Sequence, residues 1–381
     1  MKVAIAVHGR FHAFDLARGL HTRDALSQVA TTYPAFVARR WLPAPIRLST
    51  APWLEAWRRL YGRVPLLPAP DPALAVAFGR FAARTLPEGA DLLVGWSSAS
   101  LEAIPAARSR GMRVVIERGS THIQHQTEIL TAEYARLGLG RAPTPPALVE
   151  RELSEYEQAD AIAVPSRFAA STFVARGVPA TKVIVNPLGV DRGRFAVPVK
   201  AGTGKPRILF AGEIGVRKGI AHLLEAFASL SAGAELHLVG PVEPGFEVIL
   251  ARCSLAGVIL HGPLSGTALV RAYANADIFC LPSIEEGFGM VLGEAMAAGL
   301  PVVATSVTGA SELIESGREG ILVPPADVPA LRDALRALID DSANRARMGA
   351  AARARLDKGL SWNDYAERAL DAYRAVLGHL G

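Results

Sequence analysis

A chain of 381 residues, half of them hydrophobic and a fifth charged, is two ordinary domains long and apolar enough to bury two cores, which points to a soluble α/β protein. Its two cysteines, Cys253 and Cys280, lie far apart with no metal-like Cys/His spacing, which excludes a disulfide framework and suits a reducing compartment. The net charge of +5 hides an uneven split: residues 1 to 200 carry 25 Lys/Arg against 16 Asp/Glu, and residues 201 to 381 carry 16 against 20, so an anionic partner is expected on the first half.

The N-terminal run Met1 to Gly9 has one charge and an apolar stretch too short for a signal peptide or a spanning helix, and reads as a first strand over Lys2 to Val7. No other stretch reaches the roughly 18 apolar residues that a membrane span needs. A cytoplasmic location is therefore expected. Next come Arg39-Arg40-Trp41 and the helical run Pro52 to Tyr61, in which Trp53, Leu54, Trp57, Leu60 and Tyr61 share one face with Arg58 and Arg59 beside it. That composition fits an interfacial helix that dips tryptophan into lipid and meets anionic headgroups, and equally a core-facing helix with surface arginines. Residues 39–63 are thus a candidate for peripheral contact with an anionic membrane. Nucleic acid is not expected, because no nucleic-acid-binding motif accompanies the charge.

Further strands are predicted at Asp91 to Val94, Arg113 to Glu117, Ala161 to Pro165, Val183 to Asn186, Arg207 to Ala211, Glu235 to Val239, Asp277 to Leu281 and Pro301 to Ala304, with helical patterns between most of them. This alternation argues for parallel sheets wound on both faces. Glu150, Glu152, Glu155 and Glu157 read as a solvated helix face, and Ser166 as the cap of the helix after its strand. The Gly/Lys/Pro-rich stretch Lys200 to Pro206 marks a boundary, dividing the chain into 1–195 and 196–360. At the end, Ser361 with Asp364 three residues on is a capping box, followed by an apolar stripe of Trp362, Tyr365, Leu370, Tyr373 and Leu377.

The richest segment is Glu285-Glu286-Gly287-Phe288-Gly289-Met290-Val291-Leu292-Gly293-Glu294, a glycine-bracketed aromatic between an apolar strand and a small-residue helix that stops at Gly299 and Pro301. Amides at the start of that helix, helped by its dipole, suit a phosphate, and Gly287 and Gly289 leave room for a diphosphate to approach the backbone. Glu286 can accept from sugar hydroxyls, and Glu294 can take both hydroxyls of a ribose. Earlier, Arg207 to Gly219 is a strand, a glycine-rich turn and the basic pair Arg217-Lys218, whose cations can neutralise a departing diphosphate.

Ser283 to Gly289, followed by Glu294 to Thr305, resembles the signature of the retaining glycosyltransferases of family 4. That resemblance implies the GT-B architecture, two Rossmann-like domains facing each other across a cleft, with helix 361–378 crossing back onto the first. It also implies a nucleotide sugar held mainly by the second domain and a carbohydrate or lipid-linked acceptor on the first. By it, Lys218 matches a lysine of the family's Gly-Arg-Leu...Lys-Gly pattern, with Glu213 where the pattern has arginine and Arg217 as a substitute cation. His122, after the strand Arg113 to Glu117, is expected to face the transferred sugar. Gly9 and Arg10, after the first strand, are expected on the acceptor side. Thr308 to Glu312 resembles the family's glycine loop, which Glu312 would organise.

Glu286, His122 and Lys218 are accordingly the candidate catalytic residues. Arg217, Lys218, Gly287, Phe288, Gly289, Met290, Val291 and Glu294 are the candidate donor-binding residues. No Asp-x-Asp occurs, so neither a metal nor another cofactor is expected. The expected activity is retaining transfer from a nucleoside diphosphate sugar to an acceptor hydroxyl, in bacterial polysaccharide or glycolipid synthesis. A sugar-nucleotide epimerase of the same fold and a catalytically silent sugar-nucleotide-binding protein are the alternatives.

Overall fold

A computed structural model describes residues 1–61, 71–140, 144–196, 204–357 and 359–378. Two parallel sheets organise the chain. The first runs in the order β3-β2-β1-β4-β5-β6-β7, with β1 at Val3–Val7, β2 at Leu26–Thr31, β3 at Leu48–Thr50, β4 at Leu92–Trp96, β5 at Arg113–Glu117, β6 at Ala161–Val164 and β7 at Val183–Val185. The second runs β10-β9-β8-β11-β12-β13, with β8 at Arg207–Ala211, β9 at Glu235–Val239, β10 at Val258–Gly262, β11 at Ile278–Leu281, β12 at Val302–Thr305 and β13 at Gly320–Val323.

Helices cover both faces of the first sheet, which is why β1, β4 and β6 are buried at every position and read as unbroken apolar runs. Along β1, Val3, Ile5 and Val7 pack into one core with Leu16 and Leu20, while Ala4 and Ala6 pack into a second with Ala30 and Leu93. In each sheet the strand order reverses beside the first strand, between β1 and β4 and between β8 and β11. Such switch points leave a crevice at the carboxyl ends of the strands, where open α/β sheets bind ligands.

The sequence pattern found the central strands and missed β2, β3, β10 and β13. β2 reads Leu-Ser-Gln-Val-Ala-Thr, and its Gln28 is buried only because its amide donates to the carbonyl of Thr85 at 2.6 Å. β3 is three half-buried residues, and β10 is a largely exposed edge, so neither carries a strong apolar signal. β13 opens with a glycine, which weakens the pattern.

The last helix, Trp362–Gly378, starts at the anticipated capping box: Asp364 accepts from the amide and hydroxyl of Ser361, whose hydroxyl accepts from the Asp364 amide. Tyr365, Ala366, Ala369, Leu370 and Tyr373 are buried, and the helix packs on Ala13–His21 of the first domain. The hydroxyls of Tyr365 and Tyr373 reach the carboxylate of Glu117 at the end of β5, at 3.4 and 3.1 Å. Among the described residues no helix is long and apolar enough to cross a membrane.

At the crossing of these two helices a Cβ on Gly19 would run into the Cβ of Ala366. In an open helix Gly→Ala is worth about 1 kcal/mol in favour of folding. Here Gly19→Ala must push the helices apart, and a net destabilisation of about 1–3 kcal/mol is expected in urea unfolding, the usual cost of overpacking.

Candidate functional site

β11 runs into the loop Pro282 to Gly289, and the helix Met290–Ala297 begins at Gly289, whose φ of +74° is left-handed and whose Cβ would sit 2.8 Å from Leu281. In the first turn of that eight-residue helix the Leu292 amide donates to the Gly289 carbonyl at 2.8 Å, the amides before it lie ahead of the intrahelical ladder, and Phe288, Gly289 and Met290 line a cavity of about 630 Å³ between the two sheets. Glu286, Arg217, Arg118 and Ser120 line it too, with His8, Arg10 and His12 from the end of β1.

The two adjacent glutamates have different work. Glu285 is fully buried; one carboxylate oxygen accepts from the hydroxyls of Ser120 and Thr121, each at 2.6 Å, and from the Thr121 amide at 3.2 Å. Its other oxygen accepts from Nε of Arg217 at 2.8 Å, and Arg217 also donates to Ser120 at 3.0 Å. Burial pushes this carboxyl up, but Arg217 and the hydroxyl donors outweigh it and hold the pKa at about 2. Glu285 therefore ties the second domain to the loop that follows β5.

Glu286 pairs with Lys218, and Arg217 lies 3.8 Å from its other oxygen. Burial would raise its pKa, yet the Lys218 and Arg217 charges hold it low. Arg217 lines the cavity, whereas Lys218, partly exposed, is outside its lining and meets it through Glu286. Glu213 is exposed to solvent, outside the cavity lining, and its negative charge acts on Arg217.

Several expected site residues sit elsewhere. His122 does not reach the cleft: it is 3 % exposed, its ring is wedged against Tyr156 and Phe173, and Nδ1 accepts from the Gln124 amide at 3.3 Å as the cap of the helix Ile123–Arg136. Burial, with Arg176 and Arg118 nearby, lowers its pKa to about 4, so it is neutral at physiological pH. Gly287 lies at the domain contact, where a Cβ would strike the carbonyl of Gly119, and its own carbonyl accepts from Ser166 at 2.8 Å. Its missing side chain serves the closeness of two backbones, and the residues beyond it, Phe288 to Met290, line the cavity. Glu294 is half-buried behind the helix start, where burial raises its pKa and the Tyr273 hydroxyl donates to it at 2.8 Å. Val291 is half-buried and absent from the cavity lining. On the first domain, Gly9 (φ +109°) lines a second cavity, and Arg10 lines both, with its guanidinium 4.6 Å above Trp41.

Of the four glutamates read as a solvated face on the helix Pro146–Gln158, Glu150 and Glu157 are exposed and the other two are not. Glu152 and Glu155 are buried; Glu155 accepts from the amides of Ser98, Ser100 and Leu101 after β4, and Glu152 from Arg118 and the Tyr156 hydroxyl. They hold Ser98, a non-glycine residue at φ +71°, at the cleft wall. Glu312 reaches across the domains to the amide of Arg167 at 2.8 Å and to its guanidinium at 3.2 Å. Arg118, Ser120, Thr121 and Glu155 were invisible as site residues because their partners lie 34 to 165 positions away.

Two family models match the chain one after the other: "Glycosyltransferase Family 4" over residues 10–194 and "Glycosyl transferases group 1" over residues 205–341. The chain belongs to glycosyltransferase family 4. It is 31 % identical over 261 residues to a D-inositol 3-phosphate glycosyltransferase of Xylanimonas cellulosilytica, covering 63 % of this chain and 62 % of that protein. The chain thus spans under two thirds of the length of the curated relatives it matches. Its fold is GT-B, as in sucrose-phosphate synthase from Thermosynechococcus elongatus (TM-score 0.69, 20 % identity, 98 % of both chains). A similar fit is found to the Anabaena protein HepE, solved in complex with UDP (TM-score 0.69, 17 % identity, 98 % of this chain and 100 % of that one).

The Glu285 contacts have a measurable signature in this family 4 chain. Arg217→Ala leaves a buried carboxylate with neutral donors alone, and a loss of about 3–5 kcal/mol in urea unfolding is expected. Because the folded pKa of Glu285 lies below its ordinary 4.5, its charge stabilises fully above pH 4.5, and that contribution fades as pH falls toward 2. The stability gap between wild type and Glu285→Gln should therefore be widest above pH 4.5 and narrow on acidification.

Proposed function

We propose that the chain transfers a sugar from a nucleoside diphosphate sugar to an acceptor hydroxyl with retention of anomeric configuration. The observation that carries this reading is a cavity between the two sheets lined by Glu286, Arg217, Gly289 and Met290, with Lys218 paired to Glu286 behind its wall. The family membership and a GT-B neighbour solved with UDP support it.

In this mechanism the diphosphate lies against the helix start at Gly289 and Met290, where amides and helix dipole favour an anion. Glu294, fixed on one side by Tyr273, takes the ribose hydroxyls with its remaining oxygen. Glu286 accepts from a hydroxyl of the donor sugar, which frees Lys218 to follow the phosphate. The bond from the anomeric carbon to the phosphate oxygen breaks while the bond to the acceptor oxygen forms on the same face. The acceptor proton passes to the departing phosphate oxygen. Arg217 and Lys218 stabilise the charge that gathers on the diphosphate, so no metal is required. Closure of the domains excludes water.

The reaction would take place in the cytoplasm, in polysaccharide or glycolipid synthesis. Trp53, Trp57 and Leu60 are exposed on the helix Pro52–Tyr61, which favours a peripheral membrane contact. Leu54 is buried in the first domain, and Arg58 and Arg59 are both engaged by Glu55, so the contact would rest on the indoles more than on these arginines. Positions 62 and 63 of the proposed segment lie outside the described residues.

A thermal-shift panel of nucleoside diphosphate sugars tests the donor: the cognate one raises the melting temperature in proportion to its affinity, and no shift with any member refutes the reading. With that donor, Lys218→Ala should lower kcat by about 10²–10³-fold, the usual effect of removing one stabilising group. Proton NMR of the fresh product should show the donor's anomeric configuration, and donor incubated alone should keep its sugar unaltered, which an epimerase would not allow.

A further inference from the structure

The first domain holds a second cavity, of about 460 Å³, at the carboxyl ends of β1, β2 and β4 under the helices Pro52–Tyr61 and Asp71–Thr85. It meets the interdomain cavity along His8, Arg10, Phe11 and Ser98, which line both. A molecule seated in it can therefore present a group to the cleft where the donor sugar would lie.

Its walls are mostly apolar: Leu54, Leu74, Ala75, Phe78 and Leu148. The charges on it balance, Arg10 and Arg58 against Glu55 and Asp71. Arg58 is already satisfied, donating to both oxygens of Glu55 at 3.0 and 2.7 Å, while Arg59 donates to one of them at 2.8 Å. Among the described residues Arg10, stacked on Trp41 with its Nε buried and unpartnered, is the one lining cation outside an ion pair, and a phosphate buried beside Glu55 and Asp71 would be opposed by like charge. At the junction of the two cavities, Nδ1 of His8 is shielded from solvent and has no hydrogen-bond partner. Burial, with Arg58 and Arg151 nearby, lowers the pKa of His8 to about 4, so the ring is neutral and can hydrogen-bond an uncharged hydroxyl. A shielded polar atom without a partner costs stability unless a ligand satisfies it.

We propose that this cavity receives the acceptor as an uncharged amphiphile, its apolar body against Leu74, Ala75 and Phe78 and its hydroxyl at the imidazole edge of His8 that faces the cavity, and that it disfavours phosphorylated acceptors. This rests on the transferase reading above, since it needs a donor in the neighbouring cleft.

Calorimetry on the full chain tests it with phenyl and hexyl glycosides of several sugars, kept below micelle-forming concentrations, beside the free sugars and their 6-phosphates. At least one glycoside should bind tenfold or more tightly than its free sugar and its sugar phosphate. Ala75→Phe, which fills the cavity, and Leu148→Trp, which narrows its half-buried rim, should each weaken that binding at least tenfold. Nucleoside diphosphate affinity should stay within twofold in both. Should Ala75→Phe fail to fold, Leu148→Trp alone decides. Absence of glycoside binding, tighter binding of a sugar phosphate, or undiminished binding in a folded variant overturns the proposal. If nucleotides bind while glycosides do not, only the cavity assignment falls; if no nucleotide binds, the transferase reading falls with it.

Discussion

A carboxylate with no access to water must find its counter-charge and donors inside the protein, and Glu285 finds them on both sides of a domain boundary. Arg217 comes from its own domain; Ser120 and Thr121 come from the other. Separating the domains here would leave the carboxylate and Arg217 without the hydroxyl donors that complete the arrangement, which is costly in a low-dielectric interior. The contact thus fixes where the loop after β5 lies relative to the loop after β11. Everything that lines the cleft is referred to that alignment.

Other groups carry the same logic along the interface. Glu312 accepts from the amide of Arg167, Tyr134 donates to Glu243, and Glu133 meets His222 at 2.8 Å beside Arg136. In these contacts acids of one domain answer donors of the other, so the interface is polar and directional as well as packed. Directional contacts define a single relative orientation better than apolar area alone, because a hydrogen bond weakens steeply when its angle is lost. Backbone proximity at Gly287 and Gly119 completes the fit.

Within that frame the cleft divides its charges by task. Glu285 and its partner Arg217 are consumed by structure, whereas Glu286 at the cavity wall pairs with Lys218 behind it, an ion pair that a polyanion can exchange. The excess of basic residues in the first half of the chain does not gather at the second cavity. Arg118 is spent on Glu152, Arg151 on Glu102, and Arg58 on Glu55. A net charge read along the sequence is therefore a poor guide to the charge a bound ligand would meet.

The amino-acid sequence by itself determined the alternating strand–helix order, the central strands of both sheets, the turn at Glu285 to Glu294 and the capped last helix, because each is written in residues close together. Periodicity, caps and glycine turns are local physics. Tertiary structure alone decided which of two adjacent glutamates faces the cleft, that His122 caps a helix inside a core, that Glu152 and Glu155 are buried, and that His8 stands between two cavities. Those outcomes depend on partners dozens to more than a hundred positions away, and a side chain's burial and charge state are properties of the neighbours that folding brings to it.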